Sequence, residues 1–151
     1  MPAAVRNPTV FQERFRVEAV NPDGKMYQRL SRIVCQSASG VSVVCDINSD
    51  IYPIETGQVL SIALARTINL DGSEDTNQYD HGVYHQPTLM DAFEYVMHGL
   101  VFECNSDVKD ATKLRALISF GGLLMKIEGT TESLRELQYN KHYYLLIKKV
   151  V

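Results

Sequence analysis

The sequence has few cysteines, no long apolar run and no excess of basic charge. Its three cysteines, Cys35, Cys45 and Cys104, are scattered and form no CxxC pair, which argues against a zinc site or a disulfide framework. We expect them to be reduced, buried thiols of an intracellular protein. No apolar stretch of roughly 18 residues and no signal-peptide pattern occurs, so the sequence predicts neither a membrane span nor a secretion signal.

The charge balance is slightly acidic, with 15 Lys and Arg against 18 Asp and Glu, a net charge of −3. A protein whose main task is to grip phosphate backbones needs a concentrated basic face, so this class is disfavoured. The 151 residues, 45% of them hydrophobic, are enough for one domain with its own core. We therefore expect a single domain over residues 1–151 that needs no metal or disulfide to fold.

Alternation of apolar and polar residues with a period of two dominates the chain and predicts strands. In Val59–Arg66 the large residues alternate with small ones, which we place on the outer face. Phe93–Phe102 is apolar on both faces and predicts a covered strand. A slip of parity between Leu30 and Ile33 predicts a bulge. About eight short strands indicate an antiparallel barrel or sandwich. The further predicted strands are Val10–Ala19, Tyr27–Gln36, Val41–Ile47, Leu114–Phe120, Leu123–Ile127 and Tyr143–Lys149.

The stretch Asn69–Met90 breaks this pattern because it is polar and shows little alternation. It carries four acidic residues, Asp71, Glu74, Asp75 and Asp80. A loop of this length in a compact domain is either functional or disordered. We expect it to be disordered and solvated, since it offers little apolar surface to offset the entropy of ordering.

Two glycines, Gly121 and Gly122, separate two apolar runs and predict the two-residue turn of a hairpin. Opposed residues of a hairpin share a face, so this register places six apolar side chains towards the core. A register that sorts six residues correctly is strong support for the hairpin. The predicted pairs are Phe120 with Leu123, Ile118 with Met125, and Ala116 with Ile127.

The same register leaves two leucines on the outer face. Leu124 lies opposite Ser119, and Leu117 lies opposite Lys126, so the leucines are diagonal neighbours. An adjacent apolar pair outside a barrel is a candidate interaction patch. We take Leu117, Leu124 and Lys126 as the candidate partner interface. The alternative is that a short helical turn in Thr131–Leu137 covers the leucines within the chain.

Five blocks of the sequence, in order along the chain, resemble the eighth small subunit shared by the three nuclear RNA polymerases of eukaryotes. The resemblance runs from about Val10 to Lys149, and the most specific block is the hairpin. His98 stands where that family usually has tyrosine. The blocks are Asn21-Pro22-Asp23-Gly24-Lys25, Asp46-Ile47-Asn48 with Tyr52-Pro53, Phe93-Glu94-Tyr95-Val96-Met97-His98-Gly99, Ser119-Phe120-Gly121-Gly122-Leu123-Leu124-Met125-Lys126, and Tyr144-Leu145-Leu146-Ile147-Lys148.

The resemblance implies an all-β, eight-stranded antiparallel barrel related to the OB-fold, with a long polar loop at residues 69–90 and an N-terminal extension at residues 1–9. It also implies a non-catalytic nuclear subunit that docks on the largest polymerase subunit and contacts other polymerase subunits. No cofactor and no metal are implied, and neither a membrane nor direct nucleic-acid contact is expected.

A single-stranded nucleic-acid binder is the alternative function, because OB-folds bind single strands in basic grooves with stacking aromatics. Such a groove would use the side chains of Arg14, Arg16, Arg29, Arg32, Tyr27 and Phe11. Against it, the arginines alternate with acidic or polar residues, as on any solvated strand face.

An enzyme is a weaker alternative. Asp80, His81 and His85, with Asp75 nearby, lie in a glycine-containing loop, where their spacing promises no metal geometry. Ser119 lacks the sequence context of a nucleophile elbow. His98 and His142 lie on predicted strands and are expected to be packing or surface residues. The sequence thus predicts no catalytic residue.

Overall fold

The computed structural model describes residues 8–21, 29–68, 89–106, 109 and 112–150. Most of the predicted N-terminal extension and of the polar stretch, together with the Asn21–Gly24 turn after its first residue, therefore lies outside the described residues. Within the described part of the chain, no helix is long and apolar enough to cross a membrane.

Eight antiparallel strands form a closed barrel in the order β1-β2-β3-β7-β6-β5-β8-β4, with β4 pairing back onto β1. The predicted all-β, eight-stranded barrel is confirmed. Closure leaves no unpaired sheet edge, so every strand finds two neighbours. The strands are β1 (Thr9–Val20), β2 (Leu30–Ser37), β3 (Ser42–Asn48), β4 (Val59–Ala65), β5 (Tyr95–Ser106), β6 (Lys113–Phe120), β7 (Leu123–Thr130) and β8 (His142–Val150), and a 3-10 helix spans Leu89–Ala92.

Alternation along the strands builds the core. In β3, Val43, Cys45 and Ile47 are fully buried, while the residues between them are only partly covered. Every strand contributes inward-facing apolar side chains to one continuous cluster inside the barrel. Burial of this apolar surface, at about 25 cal/mol per Å², is the main favourable contribution to folding.

The bulge between β1 and β2 lies on β1, not on β2 as the sequence suggested. Val17 pairs with Cys35 and Ala19 pairs with Val34, so Glu18 is the extra residue. The pairing of β2 with β3 runs from Leu30 without a shift. The prediction between Leu30 and Ile33 was wrong because Leu30 is an outward-facing, half-buried residue at the start of its strand.

Both faces of β4 are buried. Its large residues enter the main core, as predicted, and its small residues face outward. Ala63 and Ala65 are nevertheless fully buried, because they pack with Leu146 of β8 in a second cluster outside the barrel. The segment that carries the 3-10 helix supplies the cover. The half-buried members of this second cluster are Leu89, Phe93, Val96 and Tyr144.

The prediction that β5 is covered on both faces holds only for its first part. Tyr95 is buried and Val96 is half-buried against the second cluster. Further along the strand His98 is exposed, and the side chain of Phe102 is 43% exposed. Phe102 is the extra residue of a bulge in β5, since Val101 pairs with Ile118 and Glu103 with Leu117.

Side chains close the barrel where β3 ends. The rings of Tyr52 and Tyr95 are stacked with centroids 5.3 Å apart. The Tyr52 hydroxyl donates to Glu94 Oε1 at 2.6 Å, and the backbone N–H of Lys149 donates to the same oxygen at 2.7 Å. This N–H, together with the hydroxyl, lowers the pKa of Glu94, whereas burial raises the pKa of Tyr52. The network ties the β3–β4 connection to β5 and β8.

Candidate partner interface

The turn between β6 and β7 has the geometry that its two glycines predict. Gly121 has a φ of 63° and Gly122 a φ of 104°. Two positive φ values are what a two-residue type I′ hairpin turn requires. Phe120 pairs with Leu123, Ile118 with Met125 and Ala116 with Ile127, so the register is the predicted one.

The inner face of the hairpin is part of the barrel core. Five of the six residues predicted to face inward are buried, and the sixth, Leu123, is half-buried and packs against the core cluster. The outer face follows from the same register. The hairpin therefore packs its inner face into the core and presents its outer face away from the core.

The outer face carries the two leucines singled out in the sequence. Ser119 pairs with Leu124, and Leu117 pairs with Lys126, which makes the leucines diagonal neighbours. Leu117 is half-buried, while the side chain of Leu124 is 44% exposed. Lys126 Nζ lies 3.2 Å from Glu128 Oε1 on the same strand, an exposed ion pair of small energetic value.

The segment Thr131–Leu137 does not cover Leu124. It forms hydrogen-bonded turns, in which the N–H of Leu134 donates to the carbonyl of Thr130 at 3.1 Å. Leu134 is fully buried and Leu137 is 5% exposed, and both belong to the core at the end of the barrel where β3 begins. Local cover thus fails to account for the exposed leucine.

The backbone at Leu124 is held in place although its side chain is exposed. Its N–H donates to Asp46 Oδ2 at 3.1 Å, just beyond the last pair of the β3–β7 ladder. The other oxygen of Asp46 accepts from Arg32 Nε at 2.8 Å. The side chain of Leu124 therefore projects from a fixed position, which reduces the entropic cost of binding a partner.

Phe102 enlarges this apolar surface and was missed as a site residue. It directly precedes Glu103, the register partner of Leu117, and its bulge leaves the ring 43% exposed. The continuous apolar run in β5 is the signal that the sequence offers, but such a run predicts a covered strand and not an exposed ring. We call Phe102, Leu117, Leu124 and Lys126 together the hairpin patch.

The described residues of the groove proposed for a single-stranded nucleic acid do not come together as such a groove. Phe11 is 6% exposed and belongs to the core, so it has no face for stacking. Arg29 and Arg32 lie on β2 or just before it and pair with carboxylates of Asp50 and Asp46. Tyr27 lies outside the described residues. Arg14 and Arg16 remain, on the outer face of β1.

The residues considered for chemistry are dispersed. His98 and His142 are exposed, with stacked rings 5.3 Å apart, and Tyr144 lies 4.4 Å from His98. Ser119 lies on the outer face of β6. In the described part of the chain, no three His, Cys, Asp or Glu side chains are placed to hold a metal ion. Asp75, Asp80, His81 and His85 lie outside the described residues.

The buried thiols are poor nucleophiles. Cys35 and Cys45 are inward-facing diagonal neighbours on β2 and β3, and both are free. Burial, with a smaller contribution from Glu18, raises the pKa of Cys35 to about 12, and burial also raises the pKa of Cys45. Because the thiolate is the reactive form, both are packing residues.

Comparisons with known proteins assign the chain to a family. The profile of the family described as RNA polymerase Rpb8 matches residues 12–149. The chain is 38% identical over 143 residues to the probable DNA-directed RNA polymerases I, II and III subunit RPABC3 of Caenorhabditis elegans, covering 93% of this chain and 95% of the relative. It is 31% identical to the DNA-directed RNA polymerases II, IV and V subunit 8B of Arabidopsis thaliana, over 95% of this chain and 98% of that protein. It is 28% identical to the Saccharomyces cerevisiae RPABC3 subunit of DNA-directed RNA polymerases I, II and III, over 93% of this chain and 98% of that protein.

Proposed function

This chain belongs to the RNA polymerase Rpb8 family, and we propose that it is a non-catalytic, shared subunit of nuclear DNA-directed RNA polymerases. The match spans nearly the whole barrel, and the relatives are named as polymerase subunits from an animal, a plant and a fungus. A subunit of this kind contributes to transcription by occupying a place in the assembly, which requires an interface and no reactive site.

The hairpin patch is the interface that we assign to the largest polymerase subunit. The single observation that carries this assignment is the exposed side chain of Leu124 on a backbone fixed by Asp46. Phe102 and half-buried Leu117 add apolar side chains on the neighbouring strands β5 and β6. A few desolvated side chains near the centre of an interface carry most of its binding energy.

The test compares Leu124→Glu with Ile51→Glu. Ile51 is 71% exposed in the β3–β4 connection, so the control also replaces an exposed aliphatic side chain by a carboxylate. Each tagged variant is expressed in cells and purified at high salt, and the largest subunit is quantified by mass spectrometry. We expect Leu124→Glu to recover far less of it, because a carboxylate would be buried without a partner, whereas Ile51→Glu should recover a stoichiometric amount.

In the double variant Leu117→Glu, Leu124→Glu, a loss of assembly supports the interface only if the isolated chain still folds. Because Leu117 is half-buried, thermal unfolding of each isolated variant is measured first. Leu124→Glu should change stability by no more than about 0.5 kcal/mol, as exposed substitutions do. A folded Leu124→Glu chain that assembles normally would contradict the proposed interface. A tagged wild-type chain that recovers no large polymerase subunit would contradict the proposed function itself.

A further inference from the structure

Three cations cluster on the outer face of β1, β4 and β8. Arg14 pairs in register with Ser61, and Ser61 pairs with Lys148. Arg14, Ser61 and Lys148 therefore lie side by side across three neighbouring strands. Arg16 lies on the same face of β1, two residues further along the strand and opposite Val59. We call Arg14, Arg16, Ser61 and Lys148 the basic row.

Among the described residues, no carboxylate forms an ion pair with Arg14, Arg16 or Lys148, although Glu94 interacts with Lys148 at longer range. Other cations are neutralised within the chain, as in the pairs Arg29–Asp50, Arg32–Asp46 and Lys126–Glu128. Lys148 Nζ instead lies 5.6 Å from the centre of the Phe93 ring. The nearby carboxylate of Glu94 already accepts from Tyr52 and from a backbone N–H. The positive charge of the row is therefore available to a ligand.

The floor of the basic row is polar. Ser61 is only 5% exposed, and its Oγ accepts from Gln12 Nε2 at 3.3 Å, which leaves the hydroxyl hydrogen free to donate. The groove over Ser61 has a volume of about 470 Å³ and is lined by three cations, Arg14, Lys148 and Lys149, and by one carboxylate, Glu13, which accepts a hydrogen bond from Ser39. One hydroxyl donor between two cations suits a carboxylate better than an apolar group.

We propose that the basic row docks an acidic, extended segment of a partner protein. Arg14 and Lys148 stand two strand spacings apart, roughly 10 Å. A polyproline II segment presents every third residue on one side, at intervals of about 9 Å, so carboxylates three residues apart match the two cations. The segment would cross the strands, with one carboxylate at each cation and the Ser61 hydroxyl between them.

A nucleic acid fits the basic row less well. With three cations the row would neutralise few phosphates, and phosphate neutralisation supplies most of the affinity of non-specific nucleic-acid binding. Single-strand binders also stack bases on exposed aromatic rings. The aromatic side chain next to the row, Phe93, is half-buried and lies beneath Lys148. A protein segment needs only the spacing of charges that the row provides.

The proposal is tested by fluorescence anisotropy with the full chain and a labelled peptide of repeated Glu-Pro-Pro units, at physiological ionic strength. We expect saturable binding, weakened about tenfold by Arg14→Glu with Lys148→Glu. A neutral pair, Arg14→Gln with Lys148→Gln, should weaken peptide binding by a smaller factor. It tests the same positions without the charge reversal, which could itself disturb folding. The control reverses the same number of charges at exposed Arg135 and Lys141 and should retain binding.

Four results would overturn the proposal. Equal binding of a Gln-Pro-Pro peptide would show that charge is not recognised. An equal loss of affinity in the control at Arg135 and Lys141 would show that net charge alone matters. Tighter binding of oligo(dT) of the same length, abolished by the Arg14 and Lys148 variants, would assign the row to phosphate backbones. Absence of any peptide binding would overturn it as well.

Discussion

Gly99 in β5 is the position where a single methyl group should do most damage. An ideal Cβ built there would lie 2.5 Å from Phe120 Cδ1 and far inside contact distance of the carbonyl oxygen of Ser119. That oxygen belongs to the backbone of β6, so no rotamer change relieves the clash. The β5–β6 ladder would have to open next to the hairpin. Overpacking of this kind costs up to about 3 kcal/mol, and we expect Gly99→Ala to reach that value.

Gly129→Ala in β7 is the matched control. Its Cβ would meet Val41 Cγ2 at 3.0 Å and Leu134 Cδ1 at 3.4 Å, which are side-chain atoms that can give way. Both substitutions remove the same backbone freedom from the unfolded chain, worth about 0.4–1 kcal/mol in favour of alanine. We therefore expect Gly129→Ala to change stability by less than about 1 kcal/mol.

Urea and thermal unfolding followed by circular dichroism distinguish the two variants. For a domain of this size, about 3 kcal/mol corresponds to a fall in Tm of roughly 6–12 °C for Gly99→Ala. A fall no larger than that of Gly129→Ala would show that β5 and β6 can separate at little cost. Close packing between β5 and β6 would then fail to explain why glycine occupies position 99.

Three further outcomes are expected. Gly121→Asn should preserve stability and Gly122→Asn should lower it by about 1 kcal/mol in thermal melts, because asparagine adopts the left-handed φ of 63° but not 104°. Ellman's reagent should modify half-buried Cys104 before buried Cys35, and equal rates would contradict the packing described. Glu94→Gln should lower the urea midpoint at pH 7. Because hydrogen bonds hold the pKa of Glu94 below its ordinary 4.5, the gap to wild type should close as the pH falls below that value, and a gap independent of pH would exclude the carboxylate as its cause.

The hairpin could be predicted from the sequence because all its determinants are local. Gly121 and Gly122 specify the turn, the turn fixes the register, and the register decides which residues face the core. Residues on either side of two glycines are neighbours in space as well as in sequence. The outward position of Leu124 followed from the same short-range rule, and its exposure required only that no other segment cover it.

Features that depend on distant segments could not be predicted. The bulge at Glu18 is defined by pairing with β2, and the cover over Ala63 and Ala65 is supplied by a segment that begins more than 20 residues later in the chain. The exposed ring of Phe102 depends on another ladder irregularity, in β5. An apolar run shows that a strand is partly buried, but not where along the strand the cover ends.

The arginines show the same limit for function. Arg14, Arg16, Arg29 and Arg32 share a residue type and lie close together in the sequence. The fold separates them. Arg32 on β2 pairs with Asp46, and Arg29 just before β2 pairs with Asp50, whereas Arg14 and Arg16 lie on β1. Lys148, the other cation beside Ser61, lies on β8, more than 130 positions from Arg14 in the sequence. Charge spacing in a sequence therefore predicts strand faces but not binding sites.

The two proposed surfaces use different strands, and where these strands are neighbours the surfaces lie at different ends of them. β5 pairs with β8, but Lys148 lies level with Glu94, just before β5 begins, whereas Phe102 lies eight residues further along that strand. A large subunit seated on the hairpin patch could therefore bind without covering Arg14 and Lys148. The two surfaces should therefore be separable: Leu124→Glu should abolish assembly, whereas Arg14→Glu with Lys148→Glu should assemble normally and lose only the acidic partner. If the basic-row variant failed to assemble while the isolated chain stayed folded, both surfaces would face polymerase subunits, and the row would belong to the assembly interface.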